Sequence, residues 1–415
     1  MVDALWLPYR QELTASKPLR VARTEGSRIV LDDGRSLIDG ISSWWTACHG
    51  YNHPAIAAAL AEQLRTMPHV MLGGLVHEQA LSLAKRLRDL LPGEMEKVFF
   101  SESGSVSVEV GMKIAVQYWL NRGVAGRTRF LAFRHGYHGD TFGAMSVSDP
   151  EGGMHRLFGG VVGGQLIVDM PHDHAQLAAL ERTVAAHRNE LAGAIVEPLV
   201  QAAGGMKFHS PEILRGVAEI AARHGLLLLL DEIATGFGRT GTLFACEQAE
   251  VTPDIVMLSK ALTGGTLPLA ATVAAKHVYA AFLSAQQEHA LMHGPTYTAN
   301  ALACAAANAS LSLFDSEPRL EQVAAIEAQM REGLASCRAL DHVVDVRVKG
   351  AIGVVQLDRV PDLEAMRESF VGEGVWIRPF HDVVYLMPPF VITGDELAAL
   401  IGAVYRVVKR WSGAR

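Results

Sequence analysis

Polar and charged residues follow each of five apolar runs in the sequence, and they are the candidates for chemistry. In an open parallel sheet, ligands bind beyond the carboxyl ends of the strands, so the residues just after each run would meet in one crevice. A single charged residue at a strand end is usually a cap or a solvated loop residue. A carboxylate and a lysine that follow two successive runs are harder to explain in that way. The five clusters are Ser103–Gly104–Ser105, Tyr137–His138–Gly139–Asp140, Glu197–Pro198, Asp231–Glu232 and Lys260.

A lysine, a carboxylate and a phosphate cradle in one crevice match the needs of pyridoxal phosphate. The cofactor's aldehyde requires a lysine amine for a Schiff base, which Lys260 can supply, and its ring nitrogen requires an acidic partner, which Asp231 can supply. The Gly104–Ser105 turn opens a helix, so its free backbone N–H groups and helix dipole can hold the phosphate. Tyr137 can cover one face of the ring. Each residue alone is more simply a cap or a surface residue, but the combination in this order favours the cofactor.

The surrounding sequence alternates apolar strands with helical patterns, which is typical of an α/β protein with a parallel sheet covered on both faces. A hairpin with an Asp33–Gly34 turn precedes this region. We predict a large α/β domain over residues 43–316, and a smaller α+β domain from residues 1–42 and 317–415. The predicted strands are Arg28–Leu31, Ser36–Asp39, Lys97–Phe100, Phe130–Phe133, Ala194–Val196, Leu226–Leu230, Ile255–Leu258, Val343–Val348, Gly353–Leu357, Trp376–Arg378 and Val383–Met387. The predicted helices include Val106–Leu120, Glu212–His224, Asn300–Phe314, Leu320–Cys337 and a last helix that opens with a capping box at Thr393–Glu396.

The composition excludes several classes of protein. The chain has 415 residues, of which 49% are hydrophobic and 20% charged, so it is long enough for a substantial core. Its net charge of −7 offers no broad basic field for nucleic acid or for an anionic membrane. Four scattered cysteines, no signal peptide and no apolar run of about 18 residues predict a soluble cytoplasmic protein.

Two other motifs suggest different chemistry but lack its context. Gly236, Gly238 and Gly241 form the GxGxxG pattern of dinucleotide-binding sites, which requires a helix that starts within the glycines. Here Thr242–Phe244 is predicted to be extended instead. His135 and His138 form an HxxH pair without an evident third ligand, so we predict no metal site.

One long segment resembles a known enzyme family. Leu226–Gly265, LLLLLDEIATGFGRTGTLFACEQAEVTPDIVMLSKALTGG, is similar to the signature of the class III, fold-type I aminotransferases that depend on pyridoxal phosphate. The resemblance extends over nearly the whole chain to the branch of this family that acts in biotin synthesis. The segments that carry it are Trp6–Tyr9, Asp39–Pro54, Phe133–Pro150, Met292–Tyr297, Gly374–Phe380 and Val384–Phe390.

The resemblance implies a role for each matching residue. Lys260, Asp231 and Tyr137 would be the catalytic residues, and Gly104 with Ser105 would hold the cofactor phosphate. Gly294–Pro295–Thr296 would reach the phosphate from the partner subunit, so the site would require a homodimer. The residues implied to line the substrate pocket are Tyr9, Trp44, Asp140, Arg239, Gly294, Arg378 and Tyr385. Arg378 would bind a substrate carboxylate, for which a planar guanidinium gives bidentate contact.

The resemblance also implies the reaction. In a ping-pong cycle, S-adenosylmethionine would give its amino group to the cofactor, and 8-amino-7-oxononanoate would then receive it to yield 7,8-diaminononanoate. Lysine remains an alternative amino donor. Three further alternatives are a class III ω-aminotransferase for a diamine or an ω-amino acid, a dinucleotide-dependent oxidoreductase, and a non-catalytic binding protein of the same fold. Arg378 and the Ser42–Trp45 segment argue against the first of these.

Overall fold

A computed structural model describes residues 4–152, 155–360 and 362–413 of the protein. The chain forms two compact units. The small unit comprises Met1–His53 and Ala324–Arg415, and the large unit comprises Pro54–Val323. The borders predicted from the sequence, at 43 and 316, fall earlier in the chain than the borders of these units.

The strands and helices have the following bounds within the described residues. The strands are β1 (Val21–Glu25), β2 (Arg28–Leu31), β3 (Ser36–Asp39), β4 (Met95–Ser101), β5 (Arg129–Phe133), β6 (Leu166–Val168), β7 (Leu191–Val196), β8 (Val200–Gln201), β9 (Lys207–Phe208), β10 (Leu227–Asp231), β11 (Ile255–Leu258), β12 (Ala270–Ala275), β13 (Val343–Lys349), β14 (Ile352–Leu357), β15 (Val375–Trp376) and β16 (Val383–Leu386). The α-helices are α1 (Ser42–Trp45), α2 (Pro54–Thr66), α3 (Glu78–Leu90), α4 (Gly104–Asn121), α5 (Phe142–Ser146), α6 (His174–His187), α7 (Pro211–Arg223), α8 (Lys276–Ala280), α9 (Ala301–Ser316), α10 (Arg319–Gly333), α11 (Leu363–Gly372) and α12 (Gly394–Gly413).

The large unit is built around a seven-stranded sheet with the order β4-β12-β11-β10-β7-β5-β6. The strands from β11 to β6 are parallel, whereas β12 runs antiparallel to both β11 and β4. Every residue of β7, β10, β11 and β12 is buried, because the sheet is covered by helices and cannot show the alternating pattern of a half-exposed strand. The leucines of β10 therefore form the centre of the core.

Helix α4 packs on β11 and β12, and its close approach depends on a glycine. A Cβ atom at Gly111 would lie 3.0 Å from the Sδ atom of Met257 on β11. This contact places the amino end of α4 near the carboxyl end of the sheet. Such βα turns are the usual ligand-binding positions of parallel sheets.

The small unit contains two sheets. One has the order β1-β2-β3-β15, in which β3 and β15 are parallel and pair Ile38 with Val375. The other has the order β13-β14-β16 and is antiparallel. The capping box predicted for the last helix is confirmed: the Glu396 carboxylate accepts from the Thr393 N–H, and the Thr393 hydroxyl accepts from the Glu396 N–H, both at 3.2 Å.

The structure confirms the predicted α/β class and the hairpin, whose strands have the bounds expected from the sequence. Two local predictions differ from the structure. The strand expected at Trp376–Arg378 is Val375–Trp376, and Thr242–Phe244 lies in bends, with an extended backbone at Phe244. Strands β1, β6, β8, β9 and β12 were not predicted. Within the described residues, none of the helices has the length and apolar composition needed to cross a lipid bilayer.

Candidate active site

The carboxyl ends of β10 and β11 bring two of the predicted residues onto neighbouring strands. Asp231 is the last residue of β10 and pairs in register with Met257 of β11. Lys260 lies two residues beyond the end of β11. The parallel pairing forces both side chains to the same edge of the sheet, as the sequence predicted from their positions.

Asp231 is held by two hydrogen bonds in a buried environment. Its Oδ2 atom lies 2.7 Å from Nδ1 of His138, and its Oδ1 atom accepts the Ile233 N–H at 3.1 Å. Asp231 and His138 are each only 3% exposed. Burial alone would lower the pKa of His138. The hydrogen bond to Asp231 and the negative charge of Asp231 have the larger combined effect, so the pKa of His138 is raised. The pair therefore keeps a carboxylate in a fixed orientation away from water.

Glu197 is a second buried carboxyl group at this edge, one residue past β7. It accepts the N–H groups of Tyr137 and Ala202, each at 3.0 Å. Burial raises the pKa of Glu197 to about 7, and the charge of Asp231 adds to this while His138 opposes it. The residue thus fixes the backbone of the loop that carries Tyr137.

Lys260 occupies a strained position with an altered acidity. Its φ angle of +44° is in the left-handed region, which is uncommon for a residue with a side chain. Burial lowers the pKa of the Lys260 ammonium, and the charges of Asp231, Glu197 and Asp140 partly offset this effect. A lowered pKa increases the fraction of neutral amine, which is the form that acts as a nucleophile or as a base.

The amino end of α4 lies where the sequence predicts the phosphate cradle. Ser103 caps the helix by accepting the Val106 N–H, and the Ser105 hydroxyl accepts the Asp140 N–H at 3.0 Å. Gly139 has a φ angle of +129°, and a Cβ atom there would lie 2.2 Å from the Ser105 Oγ atom. Only glycine fits this contact, so the loop that contains Tyr137 and Asp140 lies directly on the Gly104–Ser105 turn.

The Tyr137 ring is partly exposed and stacks on His155, with ring centroids 5.6 Å apart and planes inclined by 19°. The Nε2 atom of His155 lies 3.3 Å from Oδ1 of Asp140. The His155 ring therefore covers one face of the Tyr137 ring and fixes its orientation. Asp140 itself is exposed at this point.

Glu232 anchors the loop that contains Arg239. Its carboxylate accepts the Thr235 hydroxyl at 2.5 Å and the Cys246 N–H at 2.9 Å, so both ends of the loop attach to the residue after Asp231. Burial raises the pKa of Glu232 to about 7. Arg239 is only 2% exposed within this loop. The GxGxxG glycines belong to this loop and do not begin a helix.

The Gly294–Pro295–Thr296 segment lies in a loop between the short 3₁₀ turn Gln287–His289 and α9. Gly294 and Thr296 are exposed, and a Cβ atom at Gly294 would meet no atom within 4 Å. The adjoining Tyr297 ring contacts His69 with ring centroids 4.7 Å apart. Two exposed apolar side chains flank the segment, Met292 (59% exposed) and Tyr297 (58%), and Met71 (58%) follows two residues after His69.

In the small unit, Ser42–Trp45 forms an unusual turn. The φ angles of all four residues lie between +46° and +74°, a conformation that costs about 1–2 kcal/mol per residue with a side chain. Asp39 holds the turn because its carboxylate accepts the N–H groups of Ile41 and Ser43 at 2.8 and 2.9 Å. Backbone strain of this kind persists where the surroundings hold it, and it is common at functional sites.

The turn presents Trp44 to Arg378 and Tyr9. The Arg378 guanidinium carbon lies 4.8 Å from the centre of the Trp44 ring, and the Tyr9 ring meets Trp44 edge to face at 6.2 Å. Trp44 is 40% exposed, whereas Trp45 is 7% exposed and contacts Tyr385. Burial, together with the charge of Arg367, lowers the pKa of Arg378. A half-buried guanidinium with these neighbours is suited to bind a carboxylate.

Three residues of the site were not assigned from the sequence. His138 is named in the sequence analysis only as a member of a polar cluster and of an HxxH pair, Glu197 is named there without a role, and His155 is not named. Their positions in the sequence could have indicated a role for two of them, because His138 and Glu197 both lie in the polar clusters that follow apolar runs. Their partners are 93 and 60 residues away in sequence, so only the folded chain reveals the contacts.

Residues 11–408 match the family described as aminotransferase class-III. The protein belongs to the class-III aminotransferases. This aminotransferase is 45% identical to the adenosylmethionine-8-amino-7-oxononanoate aminotransferase of Mycobacterium leprae, over 98% of this chain and 95% of that protein. The dinucleotide and binding-protein alternatives lose their support with this assignment.

Solved structures of transaminases share the fold of this class-III aminotransferase. The adenosylmethionine-8-amino-7-oxononanoate aminotransferase of Methanocaldococcus jannaschii is 34% identical, has a TM-score of 0.91, and matches over 98% of this chain and 97% of its own. An amine transaminase from an uncultivated Pseudomonas species, in a PLP-bound form, is 31% identical with a TM-score of 0.91, over 98% of each chain. The predicted fold-type I architecture is thereby confirmed.

Proposed function

We propose that this class-III aminotransferase transfers the amino group of S-adenosylmethionine to 8-amino-7-oxononanoate, which gives 7,8-diaminononanoate for biotin synthesis. The observation that carries the proposal is the pairing of Asp231 with His138 at the end of β10, next to the strand that leads to Lys260. The similarity to enzymes named for this reaction supports the choice of substrates.

Pyridoxal phosphate fits the residues of the large unit. When bound, the cofactor supplies an electron sink that stabilises negative charge on the carbon that loses a proton. Asp231 would hold the proton of the ring nitrogen, and His138 would keep the Asp231 carboxylate oriented. Gly104 and Ser105 would bind the phosphate through the N–H groups at the amino end of α4.

Lys260 and Tyr137 would complete the reacting groups. The surroundings of Lys260 favour its neutral amine, so its Nζ atom can bond the cofactor aldehyde and afterwards take up and return the proton of the substrate. Tyr137 would cover one face of the cofactor ring, with its own position fixed by His155 and by the bond from its N–H to Glu197.

The small unit contains the group that we propose to bind the substrate carboxylate. We assign Arg378 as the group that binds the carboxylate of 8-amino-7-oxononanoate, because it is partly desolvated and stacks on Trp44. The further residues that we assign to the substrate pocket are Tyr9, Trp44, Asp140, Arg239, Gly294 and Tyr385.

We further propose a cytoplasmic homodimer in which Pro295 and Thr296 contact the cofactor phosphate of the partner subunit. The exposed apolar residues Met292 and Tyr297, which flank this segment, and Met71, two residues after the His69 that Tyr297 contacts, support an interface here, because contiguous exposed apolar groups mark contact surfaces. The mass of the purified protein, measured by light scattering at several concentrations, tests this assembly.

Replacement of the proposed catalytic lysine tests the function. Lys260→Ala is expected to abolish amino transfer and the visible absorbance of the bound cofactor, because the variant lacks the amine proposed to bond the cofactor aldehyde. The measurement is absorbance together with product formation by mass spectrometry. Lys276→Ala, which removes an exposed lysine paired with Glu94, is the matched control and should leave both unchanged. Covalent attachment of the cofactor to the Lys260→Ala chain on borohydride reduction, detected as an increase in chain mass, would refute the assignment.

The amino donor is tested separately. The loaded enzyme is mixed with S-adenosylmethionine alone or with lysine alone, and the cofactor absorbance is followed. Conversion with S-adenosylmethionine and not with lysine is expected. Conversion only with lysine would replace the donor, and conversion only with diamines or ω-amino acids would favour the general ω-aminotransferase alternative.

A further inference from the structure

Helix α4 carries three polar side chains on one face beyond the phosphate cradle at its amino end. Lys113, Gln117 and Asn121 are spaced by four residues, so they lie in a row along the helix. The opposite face of α4 packs on β11 and β12. These three side chains are not needed for that packing.

All three side chains donate hydrogen bonds to the segment that leads to Gly294. Lys113 Nζ donates to the Met292 carbonyl at 2.9 Å and lies 3.2 Å from Nδ1 of His293. Gln117 Nε2 donates to the Ala290 and His289 carbonyls at 2.9 and 3.2 Å. Asn121 donates to the His289 carbonyl at 3.0 Å. The carbonyls of His289, Ala290 and Met292 are thus attached to α4.

The other side of the loop is attached to the sheet. The Thr298 hydroxyl donates to the Phe100 carbonyl, at the end of β4, at 2.7 Å. Between the two attachments, Gly294 and Thr296 are exposed. The loop is therefore fixed at both ends and open in the middle, which suits a segment that contacts another molecule.

We propose that Lys113, supported by Gln117 and Asn121, is a positioning residue for the cofactor site of the partner subunit. This inference rests on the proposed function, in which Thr296 contacts the cofactor phosphate across the dimer. Lys113 fixes the carbonyl of Met292, two residues before Gly294, and so limits the positions that Thr296 can adopt. One helix would then serve two sites: its amino end binds the phosphate of its own subunit, and its polar row holds the loop for the other.

The first test measures the release of cofactor from loaded dimers. Lys113→Met removes a charged donor and is expected to speed the release of pyridoxal phosphate about tenfold. Dimers loaded with pyridoxal, which has no phosphate, should release it at the rate of the unaltered protein. Lys113→Arg should restore much of the retention, and Lys276→Met serves as the control for loss of an exposed lysine. If Lys113→Met does not fold, Gln117→Leu provides the same test.

Hybrid dimers decide which site is affected. In the first hybrid, one chain carries Lys113→Met and the other Lys260→Ala, so the only site able to bond cofactor receives an unaltered loop. In the second hybrid, one chain carries both changes and the other none, so the only such site receives the altered loop. Slow release in the first hybrid and fast release in the second is the expected result.

The opposite pattern would overturn the inference, since it would mean that Lys113 acts on its own subunit's site. Equal release from both hybrids, or equal acceleration for pyridoxal, would also overturn it. None of these results would affect the proposed function, because the unaltered dimer retains its cofactor in every arm. An unaltered protein without cofactor absorbance would instead remove the proposed function and this inference together.

Discussion

The two units hold their candidate site residues by different physical means. In the large unit, Asp231 and Glu197 are buried at strand ends. The Asp231 carboxylate is held by the His138 ring and the Ile233 N–H, and the Glu197 carboxyl group by two backbone N–H groups. In the small unit, Trp44 and Arg378 are partly exposed and are held by a strained backbone turn and by contact between an aromatic ring and a cation.

This difference matches two separate tasks. Groups that control a proton must keep a fixed distance and a fixed charge state, and a buried hydrogen-bonded carboxylate provides both. Groups that recognise a flexible chain with a carboxylate need contact area and a charge, which a half-exposed tryptophan and an arginine provide. Changes in the large unit should therefore reduce the rate of the reaction, and changes in the small unit should weaken binding.

The largest effect is expected from the large unit. Asp231→Asn removes the negative charge that would hold the ring proton, and we expect kcat to fall about 10²–10³-fold with little change in KM. Steady-state kinetics of the loaded enzyme provide the measurement. Asp254→Asn is the matched control, since Asp254 lies before β11 and accepts the Leu228 N–H at 2.6 Å. It should leave kcat of the loaded enzyme unchanged, and an equal loss in both variants would contradict the role of Asp231.

A smaller effect, and one of a different kind, is expected from the small unit. Arg378→Ala should raise KM for 8-amino-7-oxononanoate about 10–100-fold, because a charge-assisted hydrogen bond contributes about 1.5–3 kcal/mol. The KM for the amino donor and kcat should change much less. Arg378→Lys should be intermediate, since it keeps the charge but not the bidentate geometry. Equal increases in KM for both substrates would remove the assignment of Arg378 to the carboxylate.

The third effect concerns stability alone. Burial raises the pKa of Glu232 from 4.5 to about 7. The contribution of the protonated side chain to the stability of the folded protein is therefore complete below about pH 4.5, and it is lost as the pH rises through 7. Glu232→Gln cannot ionise, so the melting temperature of the variant minus that of the unaltered protein should be more positive at pH 8 than at pH 5. Calorimetry of the loaded enzyme at the two pH values gives this difference.

Glu250→Gln is the control for the third effect. Glu250 is in the same region but its side chain is 84% exposed. The difference in melting temperature should then be the same at pH 5 and pH 8. If the melting-temperature difference for Glu232→Gln is also independent of pH, ionisation of Glu232 does not destabilise the folded protein.

Much of the large unit could be predicted from the sequence because its signals are local. The leucine run, its terminal Asp231 and the next run before Lys260 identify two parallel strands and the edge where their side chains meet. Strand β12 was missed because AATVAA has no large apolar residues. Its small side chains are buried between neighbouring strands and α4, which sequence periodicity does not reveal.

The small unit was less predictable. Four successive residues with positive φ cannot be expected from Ser42–Trp45, since no glycine is present and the turn exists only where tertiary contacts hold it. The sequence did predict the hairpin, whose turn residues act locally. Contacts such as Asp231 with His138 could not be predicted for the same reason as the turn, because they join distant parts of the chain.

The Ser42–Trp45 turn also constrains the order of events during synthesis of the chain. Its Ser42 hydroxyl donates to the Met387 carbonyl at 2.7 Å, and the neighbouring Gly40 exchanges backbone bonds with Trp376 and Met387. Those partners leave the ribosome more than 300 residues later. The large unit has all its strands once residue 275 has emerged, whereas the turn must wait for the end of translation. A nascent chain could therefore fold around the proposed catalytic residues well before the proposed substrate-binding turn can form.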